Sequence, residues 1–345
     1  MKRKLLKPPS GHGEILFLPG VEEFTDALEL SGPVVTCHQL QFFHPGIGVR
    51  FHLVDLLRRE NKSIVFMDTD RTDLRVRIPC FQGSSPKVFD FTVSEKPLYT
   101  FSSLKAERVE MFFRQIEDDL KDDFEEDSCH IRQGYERFRD IFLTQDQTLS
   151  LKDRLADAFL RFSGITVRHI FLSQLLSGEG YREFLGRIYG EADRFRAIYN
   201  QSIDRFGEVF RFRFQNYPFP KLKRGELPFW VIRDGKRHQF STDRIDASDL
   251  SRYTVIPKAS PLTLFLRLHV SELFIHGLGG ANYEWVNEYI IERFYQEEAP
   301  PYFALSATFH HCGIPERNYA YFLTEPDEIR STLKDYFRDR GSTIL

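Results

Sequence analysis

Apolar runs and helically spaced segments alternate along the first third of the chain. Glu14-Ile-Leu-Phe-Leu18 is a short apolar run that stops at Pro19-Gly20, and residues 21–30 then carry a helical pattern. Pro33-Val-Val-Thr-Cys37 is a compact β-branched run of the kind found in buried strands. Between Pro45 and Glu60 the spacing of Ile47, Phe51, Val54 and Leu57 predicts an amphipathic helix with arginines on a polar back face. Ser63-Ile-Val-Phe-Met67 predicts a second buried strand, closed by the acidic cluster Asp68-Thr-Asp70. A strand, a helix and a strand in this order form the parallel βαβ unit, so the fold class is α/β.

The pattern changes in the middle. Residues 103–214 are charged and helically spaced, and acidic runs such as Glu117-Asp118-Asp119 read as solvated helix faces. Gly164, Gly178, Gly180 and Gly207 mark plausible helix ends there. Leu227 to Arg233, Asp234-Gly235 and Arg237 to Phe240 predict a β-hairpin, because Asp-Gly suits a tight turn with positive φ. Beyond it, helices are expected from Ser260 to His276, Asn282 to Tyr295 and Asp327 to Asp339, with a glycine-rich break at Gly277-Leu-Gly-Gly280. The expected organisation is an α/β core from residues 1–102 and 225–345, interrupted by a mostly helical connecting region at 103–224.

Composition narrows the function classes. A formal net charge of −3 gives no basic field for nucleic acid or an anionic membrane. No apolar stretch reaches the roughly 20 residues that span a bilayer, and the basic N-terminus is not followed by the apolar run of a signal peptide. A reduced cytoplasmic setting is expected, with a small-molecule substrate as partner. The chain has 34 Phe, which point to a ring-rich core. Phe210-Arg-Phe-Arg-Phe214 alternates aromatic and basic residues, and reads as a half-buried strand or core segment rather than a base-stacking face. The cysteines Cys37, Cys80, Cys129 and Cys312 form no CxxC pair, so neither a disulfide framework nor a zinc ribbon is expected. His310-His311-Cys312 offers ligand types, but adjacent strand residues face opposite ways, so no metal is assigned there.

Candidate chemistry gathers at strand ends, where open α/β sheets bind ligands. Thr36-Cys37-His38-Gln39 followed by His44-Pro45-Gly46 lies at a junction of strand and helix, and could orient an anionic substrate or satisfy a buried turn. Cys37 reads as a small hydrophobe rather than a nucleophile. Asp68, Asp70 and Asp73 follow the second strand, where they could bind an amine, hold Mg²⁺, act as a base or cap a helix. Arg267, His269 and Glu272 form a third group, next to Gly279 and Gly280, which could cradle phosphate or simply end a helix.

Four segments in this order resemble the bacillithiol biosynthesis cysteine-adding enzyme family. They are Val34 to Gln39 with Phe43-His-Pro-Gly46, Ser63 to Asp70 with Asp73, the Leu227 hairpin followed by Ser260-Pro-Leu-Thr-Leu-Phe-Leu-Arg267, and His276 to Gly280 running on to Trp285. The resemblance implies a Rossmann-like core with an inserted helical connecting region, and ligation of an amino acid, cysteine in that family, to an amine. It also implies ATP or ADP with Mg²⁺ as a cofactor. By position it marks Gln39, Asp68, Asp70, Asp73, Arg267 and Gly279 as site residues. This chain has Cys37-His38-Gln39 where the family has Gly-Gln-Gln, and its acidic motif is Asp68-Thr-Asp70-Arg71. It also ends soon after the last segment, so a different substrate is expected and no helical-stalk dimer. Taken together, the expectation is a ligase or transferase with His38, Asp68 and Asp70 as catalytic groups. Gln39, His44, Asp73 and Arg267 would bind substrate, and Gly46, Gly279 and Gly280 would bind cofactor. The alternatives are a non-catalytic binding or scaffold protein and, third, a nucleotidyltransferase. For the last, the five residues between His38 and His44 do not match an HxGH signature.

Overall fold

A computed structural model describes residues 14–29, 32–40, 45–78, 87–101, 105–122, 131–213, 219–309 and 325–345. The central sheet has the order β1-β11-β10-β2-β3-β6. Its strands are β1 (Glu14–Leu18), β2 (Val34–Gln39), β3 (Lys62–Met67), β6 (His169–Phe171), β10 (Leu273–His276) and β11 (Tyr302–Thr308). The five inner and right-hand strands run parallel, and β1 alone pairs antiparallel, along β11. From β2 the chain moves outward through β3 to β6. It then returns to the other side of β2 and moves outward through β10 to β11. This is a Rossmann-like α/β fold, and the order reverses between β2 and β10.

The strand sequences are almost continuously apolar because both faces are covered. Successive side chains alternate between the faces. Val34, Ile64, Phe66, Leu273 and Ile275 enter one core, and Val35, Val65 and Phe274 enter the other. On the first side lie α1 (Val21–Ala27), α2 (Pro45–Leu56), α5 (Leu151–Ser163) and α12 (Pro326–Arg338), together with α3 (Ala106–Asp119) and α4 (Ile131–Leu143). Phe51, Phe66 and Phe159 meet edge-on there, with ring centroids 5.1–5.9 Å apart. The second side is covered by α7 (Glu179–Gly190), α8 (Ala192–Arg213), α9 (Ala259–Phe265), α11 (Glu284–Ile290) and a three-stranded sheet. That sheet has the order β8-β7-β9, with β7 (Glu226–Arg233), β8 (Lys236–Ser241) and β9 (Thr254–Pro257). The expected turn joins β7 to β8, with Asp234 at φ 52° and Gly235 at φ 72°.

Several expectations are corrected. The helix expected to reach His276 ends in a π-helical turn at Leu266–Val270, and Leu273–His276 is instead the central strand β10. Leu-Phe-Ile is too short and too apolar to separate a buried strand from a helix by periodicity alone. Residues 210–213 belong to α8 rather than to a strand, and Gly207 lies inside that helix rather than at its end. Gly164 does cap α5, at φ 60°. A hairpin of β4 (Arg71–Ile78) and β5 (Lys87–Pro97) follows β3, and the region 103–224 contributes β6 to the sheet as well as helices. The predicted polar back face of α2 is absent, since Arg50 and His52 are both buried. Pro45 to Val54 is buried around most of its circumference, Arg50 and His52 included, and α12 packs against α2 while also resting on β1.

Candidate functional site

The reversal point brings the C-terminal ends of β2 and β10 side by side. Ile275 pairs with Thr36, whose hydroxyl donates to the Ile275 carbonyl at 2.8 Å, so His276 follows at the level where Cys37 and His38 leave β2. On the other flank, Gln39 pairs with Met67, and Asp68 to Asp70 follow at the end of β3. Cys37, His38, Gln39 and Gly277 are partly exposed, whereas Thr36 and His276 beneath them are buried.

Asp70 is held on both oxygens. Gln39 Nε2 donates to Oδ2, and Arg237 donates to Oδ1 at 2.6 Å and to the Thr69 carbonyl at 2.8 Å. The Asp70 carbonyl accepts from Leu98 N–H at 3.0 Å, which ties the end of β3 to the hairpin's return. Asp68 is fully buried and caps α6 (Leu172–Leu176): Ser173 donates its N–H to Oδ1 at 2.9 Å and its hydroxyl to Oδ2 at 2.5 Å. Burial pushes the Asp68 carboxyl up, against those two bonds.

His38 Nδ1 lies 3.0 Å from the Gln39 carbonyl and must be the donor, because a carbonyl only accepts. Burial, then the Arg50 charge, pushes His38 down to about 3, so the ring is neutral at pH 7. Burial raises the Cys37 thiol to about 12 even with Arg50 nearby, so it stays protonated and is no resting thiolate.

Arg267 does not reach this strand-end cluster. Its guanidinium is buried and donates to Glu284 and to the Pro300 carbonyl, with Tyr302 stacked 4.7 Å away. Glu284 also accepts from His276 Nε2 at 3.1 Å and from Asn287 Nδ2 at 2.9 Å, and Ser260 donates to Asn287 at 2.6 Å. Burial alone would raise Glu284, but Arg267 and His276 outweigh it and hold the carboxylate at about 2. The chain Arg267–Glu284–His276 therefore sets the orientation of His276 at the tip of β10. Gly280 belongs to the same arrangement: a Cβ there would lie 1.8 Å from His276 Cε1, so only a glycine lets the ring rest where it does. Gly279 is exposed, with nothing within 4 Å of a Cβ. Gly46 is buried in the first turn of α2. Asp73 lies on β4 opposite Val93, and His44 lies outside the described residues, as do Cys80, Cys129, His310, His311 and Cys312.

Arg50 on α2 is the residue the sequence reading missed. It is 3% exposed, and its NH1 donates to the Cys37 carbonyl at 3.3 Å. A Cβ on Gly277 would come 3.3 Å from its Cζ, so the guanidinium lies across the ends of both β2 and β10. Its Nε has no hydrogen-bond partner, and it forms no ion pair with a carboxylate among the described residues. Burial lowers its pKa to about 10, opposed only by Cys37 and Tyr283, yet it remains charged at pH 7. The available signal was an arginine in a helix whose apolar residues are spread around its circumference, which leaves little wet surface to take the charge.

Among the described residues no group of three or more His, Cys, Asp or Glu is arranged to hold a metal. No helix among them is long and apolar enough to cross a membrane. No family model matches the chain, and no curated protein is significantly similar to it.

Proposed function

We propose that the chain is a small-molecule ligase or transferase that works at the crevice between the ends of β2, β10 and β3. One observation carries this reading: His38, Gln39, Asp70 and His276 all lie at the C-terminal ends of three neighbouring strands, beside the point where the strand order reverses. Ligands of open α/β sheets bind at that point. In this reading Gln39 and Arg237 hold Asp70 in one orientation toward a substrate amine or hydroxyl, and neutral His38 positions the reacting group beside it. His276, fixed by Glu284, forms the opposite wall. The amino-acid donor and the nucleotide come from the family resemblance.

A second reading, a binding protein without turnover, is favoured by how fully the acidic groups are engaged. Asp68 spends both oxygens on Ser173, and Asp70 is bonded on both of its own. The test is a mass-spectrometric screen of the purified chain with ATP, Mg²⁺, L-cysteine and a panel of small amines and alcohols. A condensed product that disappears in His38→Ala and Asp70→Asn supports the enzyme. Saturable ligand binding with no product from any combination supports the binding protein.

A further inference from the structure

We propose that Arg50 is the seat of a carboxylate group, so that the crevice between β2 and β10 takes a small organic acid by its acid end. The proposal builds on the crevice as substrate site and names what enters it.

Three other arginines around α2 and the strand ends have acidic partners. Arg237 pairs with Asp70 and Arg267 with Glu284, and on the far end of α2 Arg330 pairs with Asp55. Arg50 is 3% exposed and, like Arg237 and Arg267, has an Nε with no partner, but among the described residues no carboxylate pairs with it and its hydrogen-bond acceptor is the Cys37 carbonyl, at the long distance of 3.3 Å. A buried cation left so incompletely bonded lowers stability unless a counter-ion joins it. The protein supplies none among the described residues, and the guanidinium lies where the fold binds its ligands. Cys37, His38 and Gly277, partly exposed around it, open the way in.

The charge of the crevice selects the ligand. His38 and His276 are both held below their ordinary range by burial and are neutral at pH 7. Glu284 is matched by Arg267, and Asp70 by Arg237. Among the described residues, the positive charge left without a carboxylate partner there is that of Arg50. A carboxylate neutralises it and offers two coplanar oxygens to the planar guanidinium fork. A phosphate dianion would bring one negative charge more than Arg50 matches, and the other buried arginines there, Arg237 and Arg267, are already paired.

The test is differential scanning fluorimetry of the full chain with sodium propionate, inorganic phosphate and sodium chloride at matched ionic strength. Propionate is expected to raise the melting temperature of the wild type, and chloride is not. In Arg50→Met the concentration needed should rise at least about tenfold, the loss expected for one charge-assisted donor. Arg50→Lys keeps the charge without the fork and should also respond more weakly. An Arg50 Nε–H cross-peak, assigned by its absence from Arg50→Lys, should move on propionate titration of the wild type even if Arg50→Met does not fold. An unchanged response in Arg50→Met, or a wild type that responds to propionate no more than to chloride, overturns the assignment. So does a larger response to phosphate than to propionate. Propionate binding without turnover in the product screen sinks the enzyme reading and leaves the carboxylate seat standing. Turnover without propionate binding does the reverse.

Discussion

Replacing Arg50 by methionine should make the protein more stable. Burial lowers the Arg50 pKa from 12.5 to about 10. At about 1.36 kcal/mol per unit, this means the folded state carries the charge at a penalty of about 3 kcal/mol. The variant loses the bond to the Cys37 carbonyl, worth about 1 kcal/mol, while the unbranched methionine refills most of the volume between α2 and Gly277. The net expectation is a gain of about 2 kcal/mol at pH 7. Urea unfolding with a common m-value measures it, as a rise in the midpoint. An Arg50→Met protein less stable than the wild type would refute the reasoning, because the guanidinium would then have internal partners that repay its burial. Arg50→Ala is the wrong variant for this purpose, since its cavity would mask the electrostatic gain. A stabilising loss of a charged residue is also the usual mark of a position kept for function.

His52 is fully buried with neither ring nitrogen hydrogen-bonded, and burial followed by the Arg330 charge pushes it down to about 3 from 6.5. The unfolded chain accepts a proton below pH 6.5 that the folded chain refuses, so stability falls with pH from there down to about 3. Between pH 7 and 4.5 this group should cost about 2.7 kcal/mol. His52→Leu should flatten the acid limb of the urea-midpoint profile by that amount, and a limb of unchanged slope would rule the account out. Glu284→Gln leaves Arg267 buried without its partner and should lose about 3–5 kcal/mol in chemical denaturation. Within α10 (Leu278–Ala281) two neighbouring glycines should differ. Gly280→Ala drives a Cβ into the His276 ring and should destabilise by about 1–3 kcal/mol. Gly279→Ala meets open space and should stay within about 0.5 kcal/mol of wild type in the same thermal melts.

How much of this was legible in the sequence varied with what carried the signal. β2, α2 and β3 were readable because β-branched runs and helical spacing are local, and Asp234-Gly235 announced its turn through the left-handed backbone that it needs. β10 was not, because three apolar residues and a histidine carry no period of their own and β10 becomes a strand by pairing with β2 across most of the chain. His38, Gln39 and Asp70 are read from the sequence as strand-end residues, and they do lie at the ends of β2 and β3, where Gln39 bonds to Asp70. Arg267 was singled out from the same kind of pattern, but its environment depends on Glu284, whose position follows from how α9 and α11 pack. Arg50 went unnoticed because the helix was read as half-exposed. Whether α2 has a wet side depends in part on α12, which begins 270 residues after α2 ends (Leu56 to Pro326).

The hydroxyl of Thr36 and the carbonyl of Ile275, which bond across the reversal point, are separated by 239 residues. At about 5–20 residues per second, a ribosome needs roughly 10–50 s to supply β10 after β2 has emerged. For that interval the nascent chain holds Val34 and Val35 on an open strand edge, the kind of surface that seeks stray pairing. The first strand of the crevice therefore waits for the last third of the protein to complete it on that side.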